Sequence, residues 1–593
     1  MDPERHDKFG GKVNEEIQLI NTQIQALIPE DILALEPKRK PKGSNIFEYG
    51  FVRTPKQLAQ YVDDDGNPKD GADRISLVEE IPVEDDGGNE TSELERRTVV
   101  YARRTVEVFN KESLEMEGVV RWCRIKPFSV GSPQQKLAYI HFRRDEEISK
   151  RMAKGQDRAT AERLAKHKVP QVRNKQKEMK DNTGAKELEK LFKATGDPVY
   201  QHLVEIGKLK KLYGTYYKGW AVRNGFVHTT FGVADTGTGQ LSSVAPNIQN
   251  APKHSNLAKE FRGCIMAKPG RRLVEIDKKS FHAQTLAFEA RDKGYARLAA
   301  LDAHSYMTAH RLKFPEAGQL LSWSDKDIMA WIKEKKKDPT IYKAEAVPNY
   351  PQGLTFQQVR DYKSKKVILG IGFCQGALSI FEQNPEGYND KKEVQAFLDL
   401  FKATFKDVAK FQQEITQLGH KQTYLTSRWG YIRRFYDIFQ WDPKKWNTFT
   451  GSMGDWAHGD DFEAAVAFLP ANDAFGMLKE EMLRCAGYRI SANDARYAEF
   501  RAANLRTAHK ESEDLFAKYN FINQIHDSLI FHPLVKDVDH CLEDVLKIMR
   551  EPCPTLYWEG MENQGVPAWT KDGLYVDAEA MVGEDWAHME AVV

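Results

Sequence analysis

At 593 residues the chain is too long for one hydrophobic core, so several domains or subdomains are expected. Its 41% hydrophobic and 29% charged residues mark a globular composition, and no run of about 18 apolar residues exists that would span a bilayer. Lys+Arg (87) nearly cancel Asp+Glu (86), leaving +1, so net charge announces no nucleic-acid partner.

The N-terminal stretch MDPERHDKFGGK lacks both a secretory apolar core and the Arg/Ser-rich character of a transit peptide, which points to the cytoplasm. Cys123, Cys264, Cys374, Cys485, Cys541 and Cys553 form no CxxC pair, which argues against a zinc ribbon or a disulfide framework. Apolar periodicity over 17–28 is followed by the break PKRKPKG and the acidic VEDDGGNE, together an appendage with loops. Basic residues crowd 151–180, a stretch that suits phosphate contacts or a solvated helical face. Between 190 and 220, Leu203, Ile206, Leu209, Leu212, Tyr213 and Tyr216 recur at helical spacing and predict one long amphipathic helix.

RLVEID reads as a strand ending at Asp277, and FINQI and LIFHP read as a hairpin whose turn carries His526 and Asp527. A helix-rich block, about 301–469, lies between them. Mixed α+β lobes follow from that order, and no repeat with a period of roughly 20 to 50 residues suggests a solenoid. Neighbouring strands would bring the two carboxylates to one pair of hard cations, as phosphoryl transfer requires. Taken alone this is weak, because an aspartate at a strand end is usually a surface or capping residue.

The flanking segments carry more. FSVGSPQQ from Phe128, KLYGTYYKGW from Lys211, TGTGQLSSVAPNIQNAP from Thr236, EIDKKSFHAQTLA from Glu275, DAHSYMTAH from Asp302, SKKVILGIGFCQG from Ser364 and INQIHDSLIF from Ile522 follow in this order. In that order they resemble the ordered motifs of the polymerase I-like (family A) DNA polymerases. The resemblance, with AFLPANDAF and GIGFCQG, leans toward bacteriophage enzymes. It implies a right-hand α+β fold with an antiparallel palm sheet and helical fingers and thumb. The expected parts are an appendage (1–110), thumb and entry (111–230), palm (231–300), fingers and connecting helices (301–469), and second palm part (470–593). It further implies primer extension from deoxyribonucleoside triphosphates on a DNA primer-template by a monomer, with two Mg²⁺ ions for which Mn²⁺ can substitute.

By that resemblance Asp277 and Asp527 hold the metals, joined by the backbone carbonyl of Lys278. Lys365, Leu369 and Phe373 are spaced by four and drift only about 40° per step on a helix, so they share one face. Lys365 would meet the triphosphate and protonate pyrophosphate, with Leu369 and Phe373 against sugar and base. His304 would contact phosphates. Gln240, Ser242, Asn247, Gln249, Asn472 and His526 would lie along the primer-template, where polar groups can sense pairing without reading sequence. Asn472 is equally readable as a helix cap after Pro470.

The chain also departs from the family. His282 stands where a glutamate excludes ribonucleotides, and Phe373 where its tyrosine partner stands, so a rebuilt gate of imidazole on phenyl is expected. Gln240 replaces an arginine and Ser528 a glutamate. The arginine expected four residues before Lys365 is Asp361, with Arg360 one step off the face as a nucleotide-binding candidate. About 110 residues before the match are too short for a proofreading nuclease, so no 3′-5′ exonuclease is expected in this chain, and a separate one could act as partner. A single-subunit RNA polymerase and a non-catalytic primer-template binding protein remain as alternatives.

Overall fold

The computed structural model describes residues 1–29, 74–84, 90–109, 116–125, 127–173, 179–233, 235–252, 255–346, 351–372, 374–384, 387–388, 390–447, 452–490 and 508–592. It divides into two compact units, Asp7–Lys218 and Met1–His6 with Gly219–Val593. The expected boundary at 230 thus falls about a dozen residues later than the observed one.

In the first unit, α1 (Pro3–Leu27) buries Phe9, Val13, Ile17, Ile20 and Ile24, which recur every three or four residues. Gly10 lies against the Tyr217 ring, where a Cβ would come within 2.3 Å. Strands β1 (Arg74–Glu84), β2 (Glu90–Phe109) and β3 (Met116–Ile125) form an antiparallel sheet, so the expected appendage of loops contains a sheet that runs past residue 110. Ser132 caps α2 (Pro133–Met152) by accepting from Gln135 N–H, with Pro133 fitting the first turn.

The single long helix expected over 190–220 is two helices and a π-helical turn. Helix α3 (Ala185–Thr195) stops at Gly196 in the left-handed region (φ 72°), and Asp197 with Pro198 starts α4 (Pro198–Lys211). The apolar periodicity runs through the break and hides it, but the Gly-Asp-Pro stop and start signals win locally. Leu203, Ile206, Leu209 and Tyr216 are buried as their spacing predicts.

The second unit is built on a five-stranded antiparallel sheet. Its strands are β4 (Leu273–Lys278), β5 (Phe521–Ile525), β6 (Ser528–Phe531), β7 (Ala578–Gly583) and β8 (Met589–Ala591), in the order β5-β6-β4-β7-β8. Alternation sends Val274 and Ile276 into the core with Leu529, Phe531, Ala578 and Ala580, leaving Glu275 and Asp277 on the other face. Around it come α5 (Phe281–Ala290), α6 (Ala303–Arg311), α7 (Lys365–Gly372), α8 (Lys406–Gln422), α9 (Phe462–Cys485) and α10 (Val538–Met549). Helix α9 is buried on most sides, as a central helix must be, and carries Pro470 in its interior. At Gly476 it meets the Trp429 indole so closely that a Cβ would sit 2.2 Å from the ring.

The block expected to be helical also holds two hairpins, Tyr424–Thr426 with Ile432–Arg434 and Phe439–Asn447 with Ser452–His458. Their aromatic content let them pass for helical apolar positions. The α+β class read from the sequence is the observed one.

Candidate active site

The carboxylates come together through strand register. Asp277 lies opposite Ser528, one residue from Asp527, and Lys278 N–H donates to the Asp527 carbonyl at 3.3 Å. Directly opposed residues on antiparallel strands have Cβ atoms about 5 Å apart. Ile525 pairs with Ser528, so His526 and Asp527 form a two-residue turn, with exposed His526 at φ 54°. Asp277 and Asp527 are both half-buried.

Two supports hold this turn. Gln524 donates its side-chain amide to the His526 carbonyl, and Gln249 Nε2 donates to Gln524 Oε1 at 2.9 Å. Gln249 is therefore buried beneath the turn, not presented along a nucleic-acid surface as expected. The second support is Ser528 Oγ, which donates to Glu275 Oε1 at 3.1 Å, while Trp586 Nε1 donates to Glu275 Oε2 at 2.9 Å. Ser528 is thus hydrogen-bonded to a carboxylate on the next strand.

Lys278 is the residue whose side chain the sequence reading missed. Fully buried on the core side of β4, its Nζ pairs with Glu481 Oε1 of α9 at 2.7 Å and donates to the Met549 and Val576 carbonyls. Burial raises the Glu481 carboxyl to about 6 against the opposing pull of Lys278 and Arg484. A lysine at the buried end of an apolar strand was the available signal, since such a group needs an acidic partner.

A second cluster gathers on α6 and α7. A π-helical turn, Arg360–Ser364, precedes Lys365, whose N–H bonds back to the Arg360 carbonyl. This corrects the expectation that Arg360 sits off the face: a turn closing on the fifth residue absorbs the extra residue and returns Arg360 toward the Lys365 side. Arg360 Nε donates to Asp302 Oδ2 at 2.9 Å, and Lys336 Nζ meets the same oxygen at 2.7 Å. Burial would raise the Asp302 carboxyl, but these two cations hold it well below the usual range.

His304, two residues after Asp302, is lowered to about 4 by burial, with Arg360 and Lys365 adding to the shift and Asp302 opposing it. It is neutral at physiological pH, so it can act as a hydrogen-bonding group but not as a cation. Lys365 is solvent-exposed at the start of α7. Leu369 lies on α7, and Phe373 falls outside the described residues, so the expected packing of His282 on its ring does too.

Helix α5 links the clusters. His282, at its start, keeps solvent contact among enough surrounding protein for desolvation to lower its pKa, with Asp527 opposing and His526 reinforcing. Leu286 on the same helix packs within 3.8 Å of the Cβ position of Gly372 on α7.

The remaining expected nucleic-acid residues form a loop support. Asn472 is buried in the interior of α9, so it is no helix cap, and its Nδ2 donates to the Thr238 carbonyl at 2.8 Å. Tyr431 donates to the Thr236 carbonyl at 3.3 Å, and Gln240 offers its own carbonyl to Thr236. Ser242 bonds Asp235, while exposed Asn247 accepts from Ser243 and caps a short 3₁₀ turn.

The site is thus a carboxylate pair on paired antiparallel strands, linked through α5 to a helix that starts with an exposed lysine. Residues 127–317 match the sequence profile of DNA polymerase family A. Thermostable DNA polymerase I of Thermus aquaticus is 24% identical over 276 residues, 46% of this chain and 28% of that one. DNA polymerase I of Treponema pallidum is 24% identical over 275 residues, 45% and 23% of the two chains. That of Deinococcus radiodurans is 33% identical over 126 residues, 20% and 13%.

The chain spans only about a quarter of the length of the first two of these relatives. Among solved structures, the POL domain of Pol1 from M. smegmatis, in complex with DNA primer-template and dNTP, aligns over 78% of this chain and 62% of that one. The alignment has a TM-score of 0.49 and 18% identity. No described helix is long and apolar enough to cross a membrane.

Proposed function

We propose that the protein is a DNA-directed DNA polymerase that extends a primer 5′-3′ and releases pyrophosphate. The observation that carries this reading is the juxtaposition of Asp277 and Asp527 by strand register, with Lys278 N–H bonded to the Asp527 carbonyl. In this reading the five-stranded sheet is the palm, α7 belongs to the fingers, and the Asp7–Lys218 unit contains the thumb. A bacteriophage-type replicative role belongs to the same reading.

The donor set fits Mg²⁺. Among the described residues no group of three His, Cys, Asp or Glu side chains forms a closed metal cage. Two carboxylates that leave the rest of the shell to backbone, water and substrate phosphate are the pattern Mg²⁺ takes. Asp277, Asp527 and the Lys278 carbonyl would hold two ions, which when bound supply activation of the primer hydroxyl and neutralisation of charge on the transferring phosphate.

The protein's own groups supply the rest. Lys365 and Arg360 attract the triphosphate, and Lys365 donates a proton to the departing pyrophosphate. Neutral His304 donates a hydrogen bond to a phosphate oxygen. Gln524 and Gln249 keep the His526–Asp527 turn in place as substrate charge enters. His282, beside Asp527, crowds the sugar and disfavours ribonucleotides.

The test is divalent-metal-dependent extension of a labelled DNA primer, with deoxyribo- and ribonucleotides in parallel. Extension by the wild type, abolished in Asp277→Ala and in Asp527→Ala, is expected. No extension by a folded wild type supplied with Mg²⁺ or Mn²⁺ would overturn the reading. Equal ribo/deoxyribo selectivity in wild type and His282→Ala would remove the role given to His282.

A further inference from the structure

The hairpin Phe439–Asn447/Ser452–His458 carries a row of aromatic rings that no step above uses. Strand pairing sets Phe439 opposite His458 and Trp441 opposite Trp456, and alternation puts all four on one face. The row begins at buried Phe462, on which exposed His458 stacks with centroids 3.4 Å apart and planes 8° from parallel. Phe439 lies 5.6 Å from Phe462. His420 of α8 bridges outward, 5.3 Å from Phe439 and 5.8 Å from Trp456. The row ends at Trp441 and Trp456, edge to face at 5.9 Å and 56% and 52% exposed.

Local sequence is committed to this display. Gly454 has φ 105°, and a Cβ there would come within 2.4 Å of the Trp441 ring, so the indole occupies space that only glycine leaves open. Two neighbouring indoles held half in water, at the end of a continuous aromatic row, form an apolar surface that folding alone does not require.

The inner end of the row opens on a cavity of about 840 Å³. Phe439, His458 and Phe462 line one side, and Ile371, Cys374 and Gly376, at the end of α7, line another. The cavity therefore lies between the aromatic row and the end of the helix that starts with Lys365. Gln375, Gln395, Gln413 and Gln417 fill much of the remaining wall, while buried Gln412 donates to the Ile371 carbonyl. Amide groups both donate and accept, so they can meet the edges of any base, and aromatic faces stack on any base. Lys402 offers one cation, while Asp460 and Glu463 stand at the same wall, so attraction to phosphate is not what this surface provides.

We infer that the aromatic row on this hairpin is a stacking track for single-stranded nucleic acid, taken by the unpaired strand on its way to the nucleotide site. The inference rests on the polymerase reading for the direction of the strand. A base–aromatic stack of this kind changes affinity about 5- to 150-fold per base on alanine substitution. With few phosphate contacts, the track's share of binding should depend only weakly on salt.

The experiment is binding of the full chain, without nucleotides, to two fluorescently labelled primer-templates. They share one duplex and differ only in template overhang, one nucleotide against about ten. Wild type should bind the long overhang at least about tenfold more tightly, and W441A/W456A should lose that preference while binding the short overhang normally. W441F/W456F, which keeps rings at both places, should retain most of the preference, which separates stacking from damage to the hairpin.

Overhang preference absent in wild type, or unchanged in W441A/W456A, overturns the proposal, and the second result would assign the exposed indoles to a protein partner instead. Because the readout is binding without nucleotides, failure of the polymerase reading appears separately, as absence of extension in a protein that still prefers the long overhang.

Discussion

Replacing Lys278 by methionine should expose how the floor of the carboxylate site is held. The substitution keeps the length of the side chain but removes the cation paired directly with fully buried Glu481, leaving only Arg484 nearby, and takes the donor from the Met549 and Val576 carbonyls. Breaking a buried ion pair from one side costs about 3–5 kcal/mol, because the surviving charge has nowhere to go.

The dependence on pH follows from the Glu481 carboxyl, at about 6 in the folded protein and about 4.3 when unfolded. Raised on folding, it favours the native state most at low pH. That contribution, about 2 kcal/mol for a shift of this size, is lost as pH rises through about 6. Without Lys278 the folded value climbs further. The variant therefore goes on losing about 1.4 kcal/mol per pH unit over an interval in which the wild type is already level.

The deficit should thus be small near pH 5.5 and reach about 3–5 kcal/mol near pH 8.5. Lys278→Met/Glu481→Leu should recover most of it at high pH. Urea unfolding followed by near-UV circular dichroism, in EDTA so that metal binding at Asp277 does not enter, measures these two variants, Glu481→Leu alone and the wild type. A deficit independent of pH, or a double variant as weak as the sum of the singles, would refute the reasoning.

Because the π-helical turn returns Arg360 toward Lys365, Arg360→Ala should raise the KM for nucleotide about tenfold or more with a smaller change in kcat, measured by steady-state extension kinetics. In the Asp7–Lys218 unit, His167 Nδ1 lies 3.0 Å from Glu147 and Nε2 3.7 Å from Asp197. Burial would lower the pKa of His167, but the two carboxylates beside it, Asp197 and the hydrogen-bonded Glu147, raise it. Burial would likewise raise that of Glu147, but the bonds from His167, Lys166 and Arg151 hold it at about 2. The histidine's contribution is full below about pH 6.5 and lost as pH rises through its higher folded value, while that of Glu147 is lost as pH falls from about 4 toward 2. His167→Ala should therefore destabilise that unit by about 1–3 kcal/mol near pH 6 and by less near pH 9, read by calorimetry. Gly476→Ala should cost about 1–3 kcal/mol, because Trp429 cannot keep its place against a methyl group, and a red-shifted indole emission should accompany the loss.

Much of the site was legible in the chain itself. The strand ending at Asp277 and the hairpin turn at His526 and Asp527 follow from alternation and turn spacing, both local properties. The α+β order and the burial of Leu203, Ile206 and Leu209 follow the same way. Local signals also misled: apolar periodicity ran through the Gly196–Pro198 break, and fixed α-helical spacing placed Arg360 off the Lys365 face because periodicity cannot reveal a π-helical turn.

What only the tertiary structure decided is which polar side chains remain available. Gln249 and Asn472 have the chemistry of nucleic-acid contacts in the sequence, yet one is spent on Gln524 and the other on the Thr238 carbonyl, partners more than 200 residues away. Lys278 reads as an ordinary residue beside a metal ligand until helix α9 brings Glu481 beneath it. A residue's type and spacing are fixed along the chain, but its hydrogen-bonding capacity is divided among whatever the fold brings near, and buried polar groups must be satisfied there.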